Sequence, residues 1–580
     1  MNGQTNNFIN FTRQILAGAK AAKNLSLSSL RKVFSLMGKR EKIALGALLV
    51  IALISLLVSL NHFYLRHTTM APANGGTYTE GMRGQPLYIN PLLAYGDPDL
   101  SLTRLVFSGL YKFNNQGDFV PDLAEGMPQI STDQKQYTIN LRRDAKWHNG
   151  KNVTADDVVY TIQTLKDQAF KSPLRNLWLT TSVEKLSDYQ VKFTTKDISG
   201  PFIFNLIQPI LPKSVWGKVD SQKFLLSENN LKAIGSGPYL IKEISNLKNG
   251  KVQSISLEAF SNYFGGRPKL DKLIVKFYDT DEDLSNALQG KEINGFGYTG
   301  GSNGQAIENA SYQKYVVPLP QYQMLFFNLN NKILSDQNFR QDLGSGINQS
   351  ELIEQVFQNT AAFPKLPLIG SGNSVQPFKP TFNLEAARQS LDKNGWTIDP
   401  KTNLRTKKGV TAELTLTTND SPANTKTAQA LAQNWQTLNL KINIKVLTNK
   451  EITDEVIRPR NFDILLYPQK MGADPDPFLL WHSSQTKDPG VNLTGFADQQ
   501  ADKLITEART TTDIQTRNEK YQQFYDLLSQ KLPAIFLTQA EYIYFADKEI
   551  KNINLSALFE PSQRFYDLPN WYINTRRAWK

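Results

Sequence analysis

The chain has no cysteine in 580 residues. That removes disulfides, thiolate metal sites, cysteine nucleophiles and a lipid anchor on an N-terminal cysteine. Histidine is scarce as well. His62, His67, His148 and His482 have no His or acidic partner at metal-ligand spacing, and HExxH is absent. "WHNG" and "WHSS" set two of them beside tryptophan, the surroundings of packed or surface histidines. A phosphate loop is missing too, since "GSGPY" (235–239) lacks the lysine and following helix of a phosphate cradle. "GGSNG" (300–304) matches G-x-S-x-G around Ser302, but a glycine-rich run stands where a nucleophile elbow needs a buried strand. No cofactor, resident metal or catalytic chemistry is expected.

The net charge of +12 is unevenly spread. Residues 1–67 hold nine Lys/Arg and one acid, Glu41, leaving only +4 on the rest of the chain. The basic excess therefore belongs to one end, and no nucleic-acid groove is implied. Within that end, "IALGALLVIALISLLVSL" (43–60) runs for 18 residues without a charge, the lower limit for crossing a bilayer. Lys39, Arg40 and Lys42 abut its front edge, which the positive-inside rule places in the cytoplasm. The expected organisation is a basic cytoplasmic tail (1–42), a transmembrane anchor (43–62) and a large extracytoplasmic part. A cleaved signal peptide is the rival. Its small-x-small site, "MAPA" (70–73), lies far beyond the apolar run, and the preceding tail is long for a signal.

From Gly75 onward strand and helix patterns alternate. "YTINL" (137–141), "LIVKF" (273–277) and "KINIKV" (441–446) show the two-residue period of half-buried strands. Thr154 and Asp157 have the form of a capping box ahead of an apolar face of Val158, Val159, Ile162 and Leu165. "LEAARQSLDKNG" (384–395) places Leu384, Ala387 and Leu391 on one stripe and stops at Gly395. The mixture predicts an α/β protein with open sheets. "YTGGSNGQ" (298–305) and "FPKLPLIGSGNSVQPFKP" (363–380) read as loops or connections between lobes.

One stretch, "MGADPDPFLL" (471–480), packs Asp474 and Asp476 between prolines. As a metal site it is weak, because calcium wants six or more oxygens and no further acids cluster there. Acid–base work would need a partner that the local sequence lacks. A proline-stiffened turn and an anchor for a positive charge both stay open.

Residues 105–165 carry "PDLAE", "YTINLR", "KWHNG" and "TADDVVY" in an order and spacing that resembles the solute-binding protein family 5, the extracytoplasmic peptide-binding components of ABC importers. "ILPKSVW", "IGSGPYLI", "NYFGGRPKLDKL", "LFFNLNN", "AARQSLDKNGW", "FDILLYPQKMGADPDP" and "GFADQQADKLITEAR" continue the likeness over roughly residues 75–580. It implies a periplasmic-binding-protein-like clamshell of class II. Lobe I would comprise 75–110, 234–325 and 540–580, an added subdomain 111–233, and lobe II 326–539, with hinge crossings near Phe326 and Phe545.

The resemblance further implies a peptide held between closing lobes. Asp474 matches the position that pairs with the peptide amine. Gly472 and "AYGDP" would meet the peptide main chain, with Tyr95, Gly96 and Asp97 facing it. Met471 stands where the family often has tryptophan. Asp476 would share the amine or cap the turn, and Arg458 is a candidate for the peptide carboxylate. The expected partners are an ABC permease with its ATPase and the bilayer, with the protein a monomer. Alternatives keep the fold and change the cargo to a nickel chelate, haem, opine or oligosaccharide, or make the clamshell a surface receptor or folding helper uncoupled from transport. A hydrolase resting on Ser302 is the remaining rival.

Overall fold

A computed structural model describes residues 34–300, 311–370, 374–377 and 381–579. Ser302 and parts of both predicted loops lie outside these residues. The chain divides into two units, Ala73–Asn574 and the remainder.

In the smaller unit, α1 (Lys39–His67) is longer than the predicted span, and none of its residues is buried by protein. It is long and apolar enough to cross a membrane. β1 (Thr68–Pro72) follows it without a linker.

The larger unit begins with β2 (Thr77–Arg83) and α2 (Asp97–Val106). An antiparallel sheet follows, containing β3 (Gln136–Asn140), β4 (Thr181–Ser187) and β5 (Gln190–Thr195), with α3 (Ala155–Lys166) packed on it. The capping residues at α3 behave as read: Asp157 Oδ2 accepts from the Thr154 amide at 2.9 Å. Val158, Ile162 and Leu165 are buried, whereas Val159 is only half-buried and Thr161 and Thr164 complete the inner face.

The chain then forms β6 (Tyr239–Asn246), β7 (Val252–Ala259), β8 (Lys272–Tyr278), β9 (Gly295–Thr299) and the long β10 (Tyr312–Phe327). Next come α4 (Leu384–Lys393), β11 (Glu413–Asn419), α5 (Pro422–Gln436), β12 (Lys441–Leu447) and β13 (Ile464–Lys470). The helices α6 (Gln499–Arg509) and α7 (Ile514–Lys531) lead into β14 (Ala534–Asp547). A last strand, β15 (Thr575–Trp579), pairs antiparallel with β1 in the smaller unit.

Among the described residues, one 11-stranded sheet runs through both lobes in the order β12-β11-β13-β10-β14-β9-β2-β8-β7-β6, with Ala361–Ala362 beside β14. The two long strands join the lobes. The first half of β10 pairs with residues 541–547 of β14 next to β9, and the second half pairs with 534–539 next to β13. Their ladder breaks between Pro318 and Tyr322, where Pro318 and Pro320 bracket a bulge and the ladder cannot run evenly. The crossings therefore lie at 318–322 and 539–541. Phe326 and Phe545 are instead buried in separate cores on either side. Gln539 fixes the junction by donating to the Leu319 carbonyl at 2.9 Å and accepting from the Lys365 amide at 2.9 Å.

One core joins Tyr78 and Tyr239 of lobe I with Tyr137, Trp147 and Trp216, and a smaller one beside it gathers Leu284, Phe296 and Phe545. Lobe II has a core on each face of its sheet, one around Trp435 and one around Trp481 and Phe524. Leu366, Ile369 and Val375 belong to the second. The described residues 363–370 and 374–377 of that predicted loop thus pack on lobe II rather than connecting the lobes.

Candidate ligand-binding cleft

A cavity of about 480 Å³ lies where the lobes face each other, within the range of small-molecule and cofactor sites. Lobe I contributes Tyr95, Asp97 and Arg104, and lobe II contributes Lys470, Met471 and Gly472. Phe113, Phe559 and Glu560 complete much of its wall. Tyr95 is 84% exposed.

The placement of Asp97 follows from local chemistry. It opens α2 after Gly96, with Pro98 in the first turn, where a fixed φ and a missing amide cost nothing. Asp99 accepts from the Leu87 and Tyr88 amides at 2.7 and 3.1 Å and ties the preceding loop to the helix. Ser101 Oγ donates to Asp97 Oδ1 at 3.0 Å, and Arg564 Nη1 reaches the same oxygen at 3.4 Å. Arg564 is buried, and its Nε donates to Glu80 Oε1 at 3.0 Å. Tyr78 and Tyr544 donate to Glu80 Oε2 at 2.6 and 2.8 Å. Burial pushes the Glu80 carboxyl up, and Arg564 with the two tyrosines draws it back. A buried acid in lobe I thus fixes the arginine that braces Asp97 at the cleft.

Arg104, about two turns further along α2, donates to Glu560 Oε1 at 2.5 Å and to the Tyr566 hydroxyl. Burial alone would raise the Glu560 carboxyl; Arg104 and Ser562 outweigh it and hold the group below the usual carboxylate range. Glu560 therefore stays anionic at neutral pH. Arg104, Lys470, Glu560 and Arg564 escaped the sequence reading. Gln563 accepts from the Phe559 and Glu560 amides at 2.7 and 3.4 Å and caps the short helix that carries Arg564.

Asp474 sits otherwise than a free anchor would. Its Oδ2 accepts from Arg517 Nη2 at 2.6 Å, and Tyr521 donates to Oδ1 at 3.3 Å. Both members of the ion pair are nearly inaccessible, with side chains 1% and 9% exposed for Arg517 and Asp474. Burial pushes the Asp474 carboxyl up while Arg517 opposes it. Neither residue lines the cavity. Asp476 pairs with Arg509 at 3.0 Å and accepts from the Phe478 amide at 3.1 Å, which caps the turn. Arg458 is exposed and paired with Asp454 at 2.7 Å, away from the cavity.

Beyond the cavity the lobes touch directly. Thr512 donates through N and Oγ1 to Gln134 Oε1 at 3.0 and 2.9 Å. Gly200 lies against the Thr511 carbonyl and the Arg517 side chain so closely that a Cβ would overlap both.

The family model for bacterial extracellular solute-binding proteins, family 5, matches residues 118–490, more than half of the chain. This chain belongs to that family. The oligopeptide-binding protein AppA of Bacillus subtilis is 26% identical over 552 residues, covering 92% of this chain and 99% of AppA. The solved structure of that protein, in complex with a nonapeptide, has a TM-score of 0.65 at 25% identity and covers 87% of this chain and 100% of that one. The nickel-binding protein NikA of Staphylococcus aureus is 23% identical over 81% of this chain and 90% of its own. Family 5 proteins are two-lobed α/β binding components of transport systems, and some relatives bind peptides while others bind nickel.

Proposed function

We propose that this family 5 protein captures peptides between its lobes and delivers them, as a monomer, to the membrane subunits of an ABC importer driven by a separate ATPase. The observation that carries the cargo is charge of both signs in one cavity. Asp97 offers counter-charge to an amine and Lys470 to a carboxylate, alongside the mutually paired Arg104 and Glu560, with Tyr95, Phe113 and Phe559 in the same wall. A peptide is a zwitterion with apolar side chains and suits this wall. The kinship with AppA along nearly the whole chain supports the same cargo.

In this reading Asp97 takes the amine through Oδ2, since Ser101 and Arg564 both engage Oδ1. Tyr95, Gly96, Met471 and Gly472 wall the ligand, whereas Asp474 and Asp476 shape the loop beneath. Tethering by α1 is the second half of the proposal. The "MAPA" site lies in and beside β1, a strand already paired with β15, which supports retention of the helix as an anchor with its basic end in the cytoplasm.

Titration calorimetry of Asp97→Asn with free-amine and N-acetylated peptides tests the site. The free-amine peptide should lose about tenfold or more, ~1.4 kcal/mol, and the acetylated one little. Equal losses would remove Asp97 as the amine partner. Mass spectrometry of co-purifying ligands tests the cargo: mixed peptides support it, and a nickel chelate or a single sugar overturns it.

A further inference from the structure

Seven of the eight tryptophans are at most 3% exposed, but Trp579 is 65% exposed. It stands opposite Thr68, the residue that follows α1, in the β1–β15 ribbon. Its indole lies edge-on to Tyr64 at 5.9 Å and 6.4 Å from Phe63, both near the end of the helix. Arg577 donates to Thr68 Oγ1 at 3.0 Å and stands over the Tyr64 ring at 5.9 Å. The strand is thus fastened to the end of the apolar helix by side chains of both.

The length of α1 gives this cluster a depth. Lys42 and Tyr64 are 22 residues apart in a continuous helix, about 33 Å at 1.5 Å per residue, close to the ~30 Å hydrocarbon core. With Lys42 at one interface, Tyr64 and Trp579 arrive at the other, where amphipathic rings concentrate. Residues 61–72 and 575–580 contain Arg66, Arg576, Arg577 and Lys580 and no acid. A two-stranded ribbon with an exposed indole and an exposed Met70 is also marginal in water unless something covers it.

We infer that the β1–β15 ribbon is a second membrane-contacting element, lying in the outer headgroup layer with Trp579 at the acyl boundary and its arginines on anionic phospholipid. The inference rests on α1 spanning the bilayer. Through it, both ends of the extracytoplasmic chain are held at one membrane surface.

The test uses the full-length protein in vesicles of phosphatidylcholine with and without phosphatidylglycerol, doped with lipid brominated near the carbonyl end of its chains. Because the other tryptophans are buried, quenching should be present in the wild type and lost in Trp579→Phe. Arg576→Gln with Arg577→Gln should reduce quenching in the anionic vesicles and leave the neutral ones nearly unchanged. Equal quenching of wild type and Trp579→Phe would show that the indole is covered by protein or water and overturn the inference; indifference to both arginine substitutions would overturn its lipid-charge part. Alkaline carbonate extraction separates the two readings. A protein retained in the membrane but unquenched refutes the ribbon contact alone, and a released protein refutes the anchor and the ribbon together.

Discussion

Asp474 and Arg517 face each other 43 residues apart in the chain, both within lobe II and both shut away from solvent. The prolines on either side of the loop and the Asp476–Arg509 pair hold that geometry from the surface side. Asp474→Asn keeps the shape and a hydrogen-bonding oxygen but leaves the Arg517 charge uncompensated in a site that water hardly reaches. Breaking a buried pair in this way costs about 3 to 5 kcal/mol, so a urea midpoint should fall sharply. Adding Arg517→Gln should recover much of the loss, because the stranded charge is then gone. Folded Asp474→Asn should bind free-amine and N-acetylated peptides with the same ratio as wild type. Wild-type stability with selective loss of the free-amine peptide would instead return Asp474 to the role of amine anchor.

At the scale of elements, "KWHNG" (146–150) and "IGSGPY" (234–239) meet where residues 111–233 join lobe I. His148 donates its amide to the Gly235 carbonyl at 2.8 Å, and its Nδ1 accepts from the Gly235 amide at 3.3 Å. Nε2 donates to the Gly237 carbonyl at 3.1 Å, so the partners themselves select the neutral Nε2–H tautomer. Gly235 is required because a Cβ would overlap the Val106 carbonyl at the end of α2. Burial lowers the His148 pKa from 6.5 to about 4, with the Gly237 carbonyl opposing. Between these values the unfolded chain binds a proton that the folded one refuses, so stability falls as pH falls from 6.5 towards 4, by up to about 3 kcal/mol. Denaturant midpoints across that window should flatten in His148→Gln; an unchanged pH slope would show that the imidazole does not titrate there. The motif, the strands, the start of α3 and the stop of α4 were legible because each rests on neighbours a few residues apart. The structure joins Arg104 to Glu560 and Asp474 to Arg517 over long stretches of chain, and no periodicity records such pairs. The fold class was therefore readable; Tyr95, Asp97, Met471 and Gly472, which only the family resemblance singled out, line the cavity, and their contact with a ligand is part of the proposal, while the charged partners that complete the cavity left no local signal.

For the whole molecule the governing feature is one continuous sheet that bends at a two-strand junction. Opening the cleft must pass through residues 318–322 and 539–541, while the cores on either side remain packed. The opposing contact is Gly200 of the added subdomain against Thr511 and Arg517 of lobe II, joined by Gln134 and Thr512. Gly200→Ala places a methyl group where lobe II backbone already stands, so the clash arises only when the lobes meet. The closed population should fall, and apparent affinity falls with it: a drop to about one-tenth closed weakens binding about tenfold. Thermal unfolding should change little, because each lobe keeps its own core. Small-angle scattering with saturating peptide should give a larger radius of gyration for Gly200→Ala than for wild type. A variant that closes and binds as wild type does would show that the lobes meet elsewhere, and that the Gly200 contact does not limit closure.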